Sequence, residues 1–254
     1  MPSSPLSPEP PHLSFGLYSE HGERLLLSQV CAAVGRGAGG LTGVFGVAPR
    51  DSRFELVSDL GADYYETDLP LPRAAAVVSD ADPELRAVRV GLRHELVGAM
   101  VAGYDWSDSG ADHTVSVLAD AGPLGIPDEL WTGAERRRAR RRGERFVALM
   151  RRVCDEVDPL YGAVGIEMSM PTPRLLARSR NGLGDLYVSD RLMSRSPALR
   201  GGLSGCFAEA QVETWGNGTY FSSWGPFNGA GVSAPHAEEV SREAVRLLGR
   251  ALAR

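Results

Sequence analysis

Along residues 13–18, LSFGLY, large apolar side chains return at every second position, the period of a strand with one covered face. ERLLLSQVCAAVGRG (23–37) follows with helical spacing and stops at Gly35 or Gly37. LTGVFGVAP (41–49) predicts a second strand closed by proline, and AAAVVSD (74–80) a short buried strand or connector. Asp82 before Pro83 reads as a cap and first-turn pair, so ELRAVRVGLRHELVGAMVAG (84–103) is expected to be a helix. HTVSVLAD (113–120) reads as a strand, and the proline- and glycine-punctuated 122–133 as a loop.

The next segment contains ERRRARRRGERFVALMRR (135–152). Thr132, with Glu135 three residues on, has the pattern of a capping box. Ala139, Gly143, Phe146, Met150, Val153, Cys154 and Val157 then fall on one helical stripe, and every arginine lies off it. The helix is expected to end at Asp158, ahead of Pro159. Beyond it, 160–170 and 185–192 read as strands, PTPRLLAR (171–178) as a turn or short helix, and 236–253 as a last amphipathic helix. Between them, CFAEAQVETWGNGTYFSSWGPF (206–227) alternates through Ala208, Ala210, Val212 and Thr214, and Asn217-Gly218 supplies the turn of a hairpin. Strands and helices interleave without the steady rhythm of a doubly wound sheet. The predicted class is α+β: a mixed or antiparallel sheet with packed amphipathic helices. The organisation expected is a proline-rich tail (1–12), an N-terminal half (13–125) and a C-terminal half (133–254), as two units or as one domain.

Composition narrows the chemistry. All 27 basic residues are arginine, which removes Schiff-base, pyridoxal-phosphate and Walker-lysine chemistry. Cys31, Cys154 and Cys206 are odd in number and far apart, against both a disulfide framework and a zinc site. No apolar run reaches the ~20 residues of a membrane span. The opening MPSSPLSPEPPH has no apolar signal region, and a cytoplasmic location is expected.

Four stretches could carry chemistry. GRGAGG (35–40) matches a dinucleotide fingerprint literally, but helix before and strand after is the reverse of the required order, so no cofactor is expected. GLSGC (202–206) falls one residue short of a nucleophile elbow, and no strand leads into it. GYDWSDSGADH (103–113) gathers Asp105, Asp108, Asp112 and His113, a set that could hold a divalent cation in a small-molecule enzyme, although the spacing is not that of an EF-hand. The arginine run sets nine arginines of 135–157 against four carboxylates, a local balance of +5 that leaves −10 for the rest of the chain. Without interleaved aromatics or a nucleic-acid module, that patch points to a solvated helix face or an acidic protein partner rather than nucleic acid. Arg137 and Arg141 are the partner-binding candidates there. Trp215, Tyr220, Phe221 and Trp224 form the densest aromatic cluster; one face is expected to fill the core under the last helix, the other to anchor a partner.

RFVALMRRVCDEVDPLYGAVGIEMSMPTP, then LYVSDRL, then ETWGNGTYFSSWGPFN, resembles predicted actinobacterial immunity-type proteins of polymorphic toxin systems. The likeness covers roughly residues 140–230. Its motifs are a turn at Asp158, Pro159, Tyr161 and Gly162 and a strand end at Trp215 and Gly216, so no catalytic residue carries over. It implies a cytoplasmic protein that binds and neutralises a partner, and a protein partner is expected. A small-molecule enzyme built around the 103–113 loop is the alternative.

Overall fold

The computed structural model describes residues 11–36, 39–49, 85–105, 113–121, 132–222 and 234–253. Nine strands among them form one antiparallel sheet. In chain order the elements are β1 (His12–Tyr18), α1 (Glu23–Gly35), β2 (Gly39–Pro49), β3 (Leu85–His94), β4 (Gly98–Asp105) and β5 (Thr114–Asp120). Then come α2 (Gly133–Val157), β6 (Tyr161–Ile166), α3 (Pro173–Leu176), β7 (Asp185–Ser189), α4 (Asp190–Arg195) and α5 (Pro197–Cys206). A 3-10 turn (Glu209–Gln211), β8 (Val212–Trp215), β9 (Gly218–Phe221) and α6 (Ala234–Leu252) complete the set. The strand order β2-β3-β4-β5-β1-β6-β7-β9-β8 puts β1 in the middle, paired with β5 on one side and β6 on the other. The sheet therefore runs without a break through both halves of the chain.

Strand periodicity divides the core in two. Leu13, Phe15 and Leu17 of β1 share a face with Val115, Val117 and Ala119 of β5 and with Val90 and Leu92 of β3, and the apolar sides of α1 and α2 close over them. On the opposite face Tyr18, Tyr161, Ala163, Leu186, Val188 and Phe221 pack against α3, α5 and α6. A strap over 167–171 crosses this second face and is pinned by hydroxyls. Ser14 Oγ donates to the Met168 carbonyl at 2.9 Å, Thr114 Oγ1 to that of Met170 at 2.7 Å, and Tyr161 Oη to that of Pro171 at 2.9 Å.

The helix expected over 84–103 is a hairpin. β3 and β4 pair from Arg89↔Gly103 to His94↔Gly98, and the chain reverses at Gly98, whose φ of 89° suits a residue without Cβ. Val90 and Leu92 are buried at alternate positions beside Met100 and Ala102, so the period there is two and not 3.6. Three smaller corrections follow. The strand expected over 185–192 stops at Ser189, whose hydroxyl accepts from the Leu192 amide and starts α4. The alternation expected from Ala208 begins at Val212, after the 3-10 turn. The hairpin turn is Gly216-Asn217, with Gly218 already paired in β9. The connector expected at 74–80, residues 1–10 of the tail and residues 122–131 of the loop lie outside the described residues.

Candidate interaction surface

α2 starts as its sequence demands. Thr132 Oγ1 accepts from the Glu135 amide at 3.3 Å, and the Glu135 carboxylate accepts from the Thr132 amide at 2.7 Å. The Thr132 amide, and then its hydroxyl, which also donates to that carboxylate at 3.0 Å, hold the Glu135 carboxyl below its ordinary range. The helix ends at Val157, with Asp158 in the left-handed region (φ 49°). Its buried stripe is Ala139, Gly143, Phe146, Leu149, Met150, Val153, Cys154 and Val157, as the spacing predicts, with Leu149 added. Phe146 meets Phe15 with ring centroids 5.2 Å apart.

The arginines divide by what they reach. Arg142 is half-buried and donates through Nε and Nη2 to the Asp120 carbonyl, at 3.1 and 2.8 Å. Arg140 pairs with Glu144 at 2.9 Å and Arg151 with Glu213 at 2.6 Å. Arg152 sits beneath α1, donating to the Val34 carbonyl. Arg137, Arg141 and Arg145 are exposed, and none has a carboxylate partner among the described residues. Counting 100° per residue, Arg137 and Arg141 stand nearly opposite the buried stripe. From Thr132 to Arg138 every residue is exposed, and the first buried one is Ala139. The N-terminal turns of α2 thus pack on none of the described core.

One face of the aromatic hairpin, that of Phe221, lies in the layer of the last helix as expected, and the other is buried as well. Trp215 and Tyr220 are buried under α2 rather than under the last helix, with rings stacked at 4.5 Å, and Tyr187 stacks on Trp215 at 5.5 Å. Phe221 fills the opposite face, against Phe207 at 5.1 Å. These three side chains are therefore core, none more than 6% exposed, while Glu213 and Thr214 of β8 face solvent; Trp224 lies outside the described residues. The C-terminal turns of α2 hold the hairpin in place: Asp155 Oδ1 accepts from the Gly216 amide at 2.9 Å, and the Asp155 carbonyl from Asn217 Nδ2 at 2.8 Å. Below the stack, the buried Asp185 carboxylate accepts from Tyr220 Oη at 2.7 Å and Ser222 Oγ at 3.0 Å. Burial first, and then the Asp185 charge, push the Tyr220 phenol well above its ordinary pKa. Tyr187 Oη and Trp215 Nε1 are buried without a hydrogen bond among the described residues. Nothing in the sequence separates Asp185 from an ordinary strand-end aspartate; only register shows it beneath the aromatics.

Of the acidic loop, Asp105 ends β4 opposite Thr114, and His113 is buried beside it in sequence; Asp108 and Asp112 lie outside the described residues. Among the described residues no three His, Cys, Asp or Glu side chains group as a metal site would. Ser204 of GLSGC is exposed within α5, and a helix gives it none of the strained turn of a nucleophile elbow. GRGAGG joins the end of α1 to the start of β2, the order its neighbours predict. Cys31 and Cys154 are buried free thiols; burial pushes Cys31 up to about 12 and Cys154 well above the ordinary range. An open groove of about 630 Å³ lies along α6, lined by Arg180, Cys206, Glu243 and Arg246, where Glu243 and Arg246 pair with each other. Among the described residues no helix is long and apolar enough to cross a membrane.

No family model matches the chain, and no curated protein matches it. A distant neighbour among solved structures is the T6SS protein PA0821 of Pseudomonas aeruginosa, 12% identical, with a TM-score of 0.49 over 94% of this chain and 74% of that one.

Proposed function

We propose that this chain is a cytoplasmic binding protein of the immunity kind, which neutralises a protein partner by occupying it and not by catalysis. The observation that carries this reading is the outward side of α2. One side of the helix is core, while Arg137, Arg141 and Arg145 project from the other with no carboxylate partner among the described residues. Seven arginines against two glutamates in Gly133–Arg145 make a compact positive surface on a chain of net charge −5. Such a surface steers and orients a partner of opposite charge. Trp215, Tyr220 and Phe221, which would otherwise be the first choice for an anchor, are committed to the core.

The test is co-expression with the product of the neighbouring gene in a host that this product harms. The reading expects restored growth and a complex that co-elutes on size exclusion. Continued growth arrest with no complex would refute it.

A further inference from the structure

We infer that the row Arg137–Arg141–Arg145 is the docking surface itself, and that its occupant is an acidic helix of a protein partner carrying carboxylates four residues apart. This rests on the binding reading above and deepens it. Successive members of the row are four residues apart, so they rise by about 6 Å each and span about 12 Å along α2. Glutamates or aspartates four apart on a second helix repeat at the same ~6 Å. A guanidinium offers a planar fork of donors that a carboxylate can accept two at a time.

Placement supports access. Thr132–Arg138 are all exposed, so a partner can lie beside the first turns of α2 without meeting the sheet. Among the neighbouring arginines Arg140 is held by Glu144 and Arg142 by the Asp120 carbonyl, while Arg138 is exposed like the row and adds to its charge.

The row itself favours an acidic protein surface over nucleic acid. Gly133–Arg145 carries +5 but no aromatic side chain on which a base could stack. Three arginines neutralise about three phosphates, and counterion release from so few leaves duplex binding weak at physiological salt.

The test uses the full chain and two defined probes: a fluorescent helical peptide with glutamate at every fourth position, and a short duplex DNA of similar length. Anisotropy is read for the wild-type chain, for R137E/R141E/R145E and for R137Q/R141Q/R145Q. Both triple variants keep the buried stripe, and all three substituted positions are exposed. Circular dichroism confirms the fold of each. The expected result is peptide binding to wild type, weakened roughly tenfold or more by charge reversal and less by neutralisation, and weakened again as salt rises. DNA binds less well than the peptide. No peptide binding by the wild-type chain, equal binding by the folded E variant, or DNA bound more tightly than peptide would each overturn the inference. Such a failure with growth protection intact would place the partner on another surface; failure of the wild-type chain to protect would instead sink the binding reading.

Discussion

Removing the Phe146 ring is the sharpest test of the inner side of α2. Phe146 is fully buried and packs on Phe15 with ring centroids 5.2 Å apart. Phe146→Ala removes a ring from a packed interior and leaves a cavity, a change that costs about 3–5 kcal/mol. The lost ring pairing is part of that cost, at about 0.5–1.5 kcal/mol. For a chain of this size each kcal/mol moves the melting midpoint by about 2–4 °C, so a loss of about 4 kcal/mol lowers it by roughly 8–16 °C. Arg141→Ala, on the other side of the same helix, removes an exposed side chain with no carboxylate partner among the described residues and should stay within about 0.5 kcal/mol of wild type. Urea denaturation followed by circular dichroism, with calorimetry alongside, measures both. A Phe146→Ala loss below about 1 kcal/mol, or an Arg141→Ala loss equal to it, would show that the helix is not seated as described.

Two further outcomes follow from the polar interior. Tyr187→Phe removes a buried hydroxyl with no hydrogen bond, so it should leave stability unchanged or raise it by up to about 1 kcal/mol, whereas Tyr220→Phe strips a donor from the buried Asp185 carboxylate and should cost about 1.5–3 kcal/mol; denaturation midpoints in the opposite order would contradict this placement. Desolvation first, and then the Arg152 charge, lower the His94 pKa in the fold against a partial opposing pull from Glu95. The folded chain thus favours neutral His94: this contribution is complete above the unfolded value of 6.5 and is lost as pH falls below it through the folded pKa. The difference in unfolding free energy between wild type and His94→Gln should therefore shrink between pH 7 and pH 5, and parallel curves would refute the effect.

Where one residue period dominates, the fold is legible in the sequence. β1 and α2 announce themselves because a single apolar set lies on a single face, and α2 adds its capping box. β3 and β4 do not, because 84–103 is rich in leucine, alanine, arginine and glutamate, which suit a helix locally; pairing with β2 and β5 overrides that preference. α5 is hidden by the glycines of PALRGGLSGC. It forms because Leu199 and Leu203 are buried and because Gly202 lets α6 approach: a Cβ there would come within 2.9 Å of Leu247 Cδ1. The candidate surface is half legible. Arg137 and Arg141 are identifiable as off-stripe cations from spacing alone, and Arg145 joins them only once the internal pairs of its neighbours are known. The hairpin aromatics look like anchors in sequence because alternation always offers a second face; β7 and α2 on one side, and the Phe207 layer on the other, leave none.

The most direct measurement compares protection in the cell with folding in vitro for the R137E/R141E/R145E chain. The triple variant and the wild-type chain are each co-expressed with the toxin-type partner that the proposed function implies, and both purified proteins are melted side by side. The account predicts a chain that melts within about 2 °C of wild type, since surface substitutions away from the core cost little, yet no longer restores growth. A folded triple variant that protects as well as wild type would contradict it.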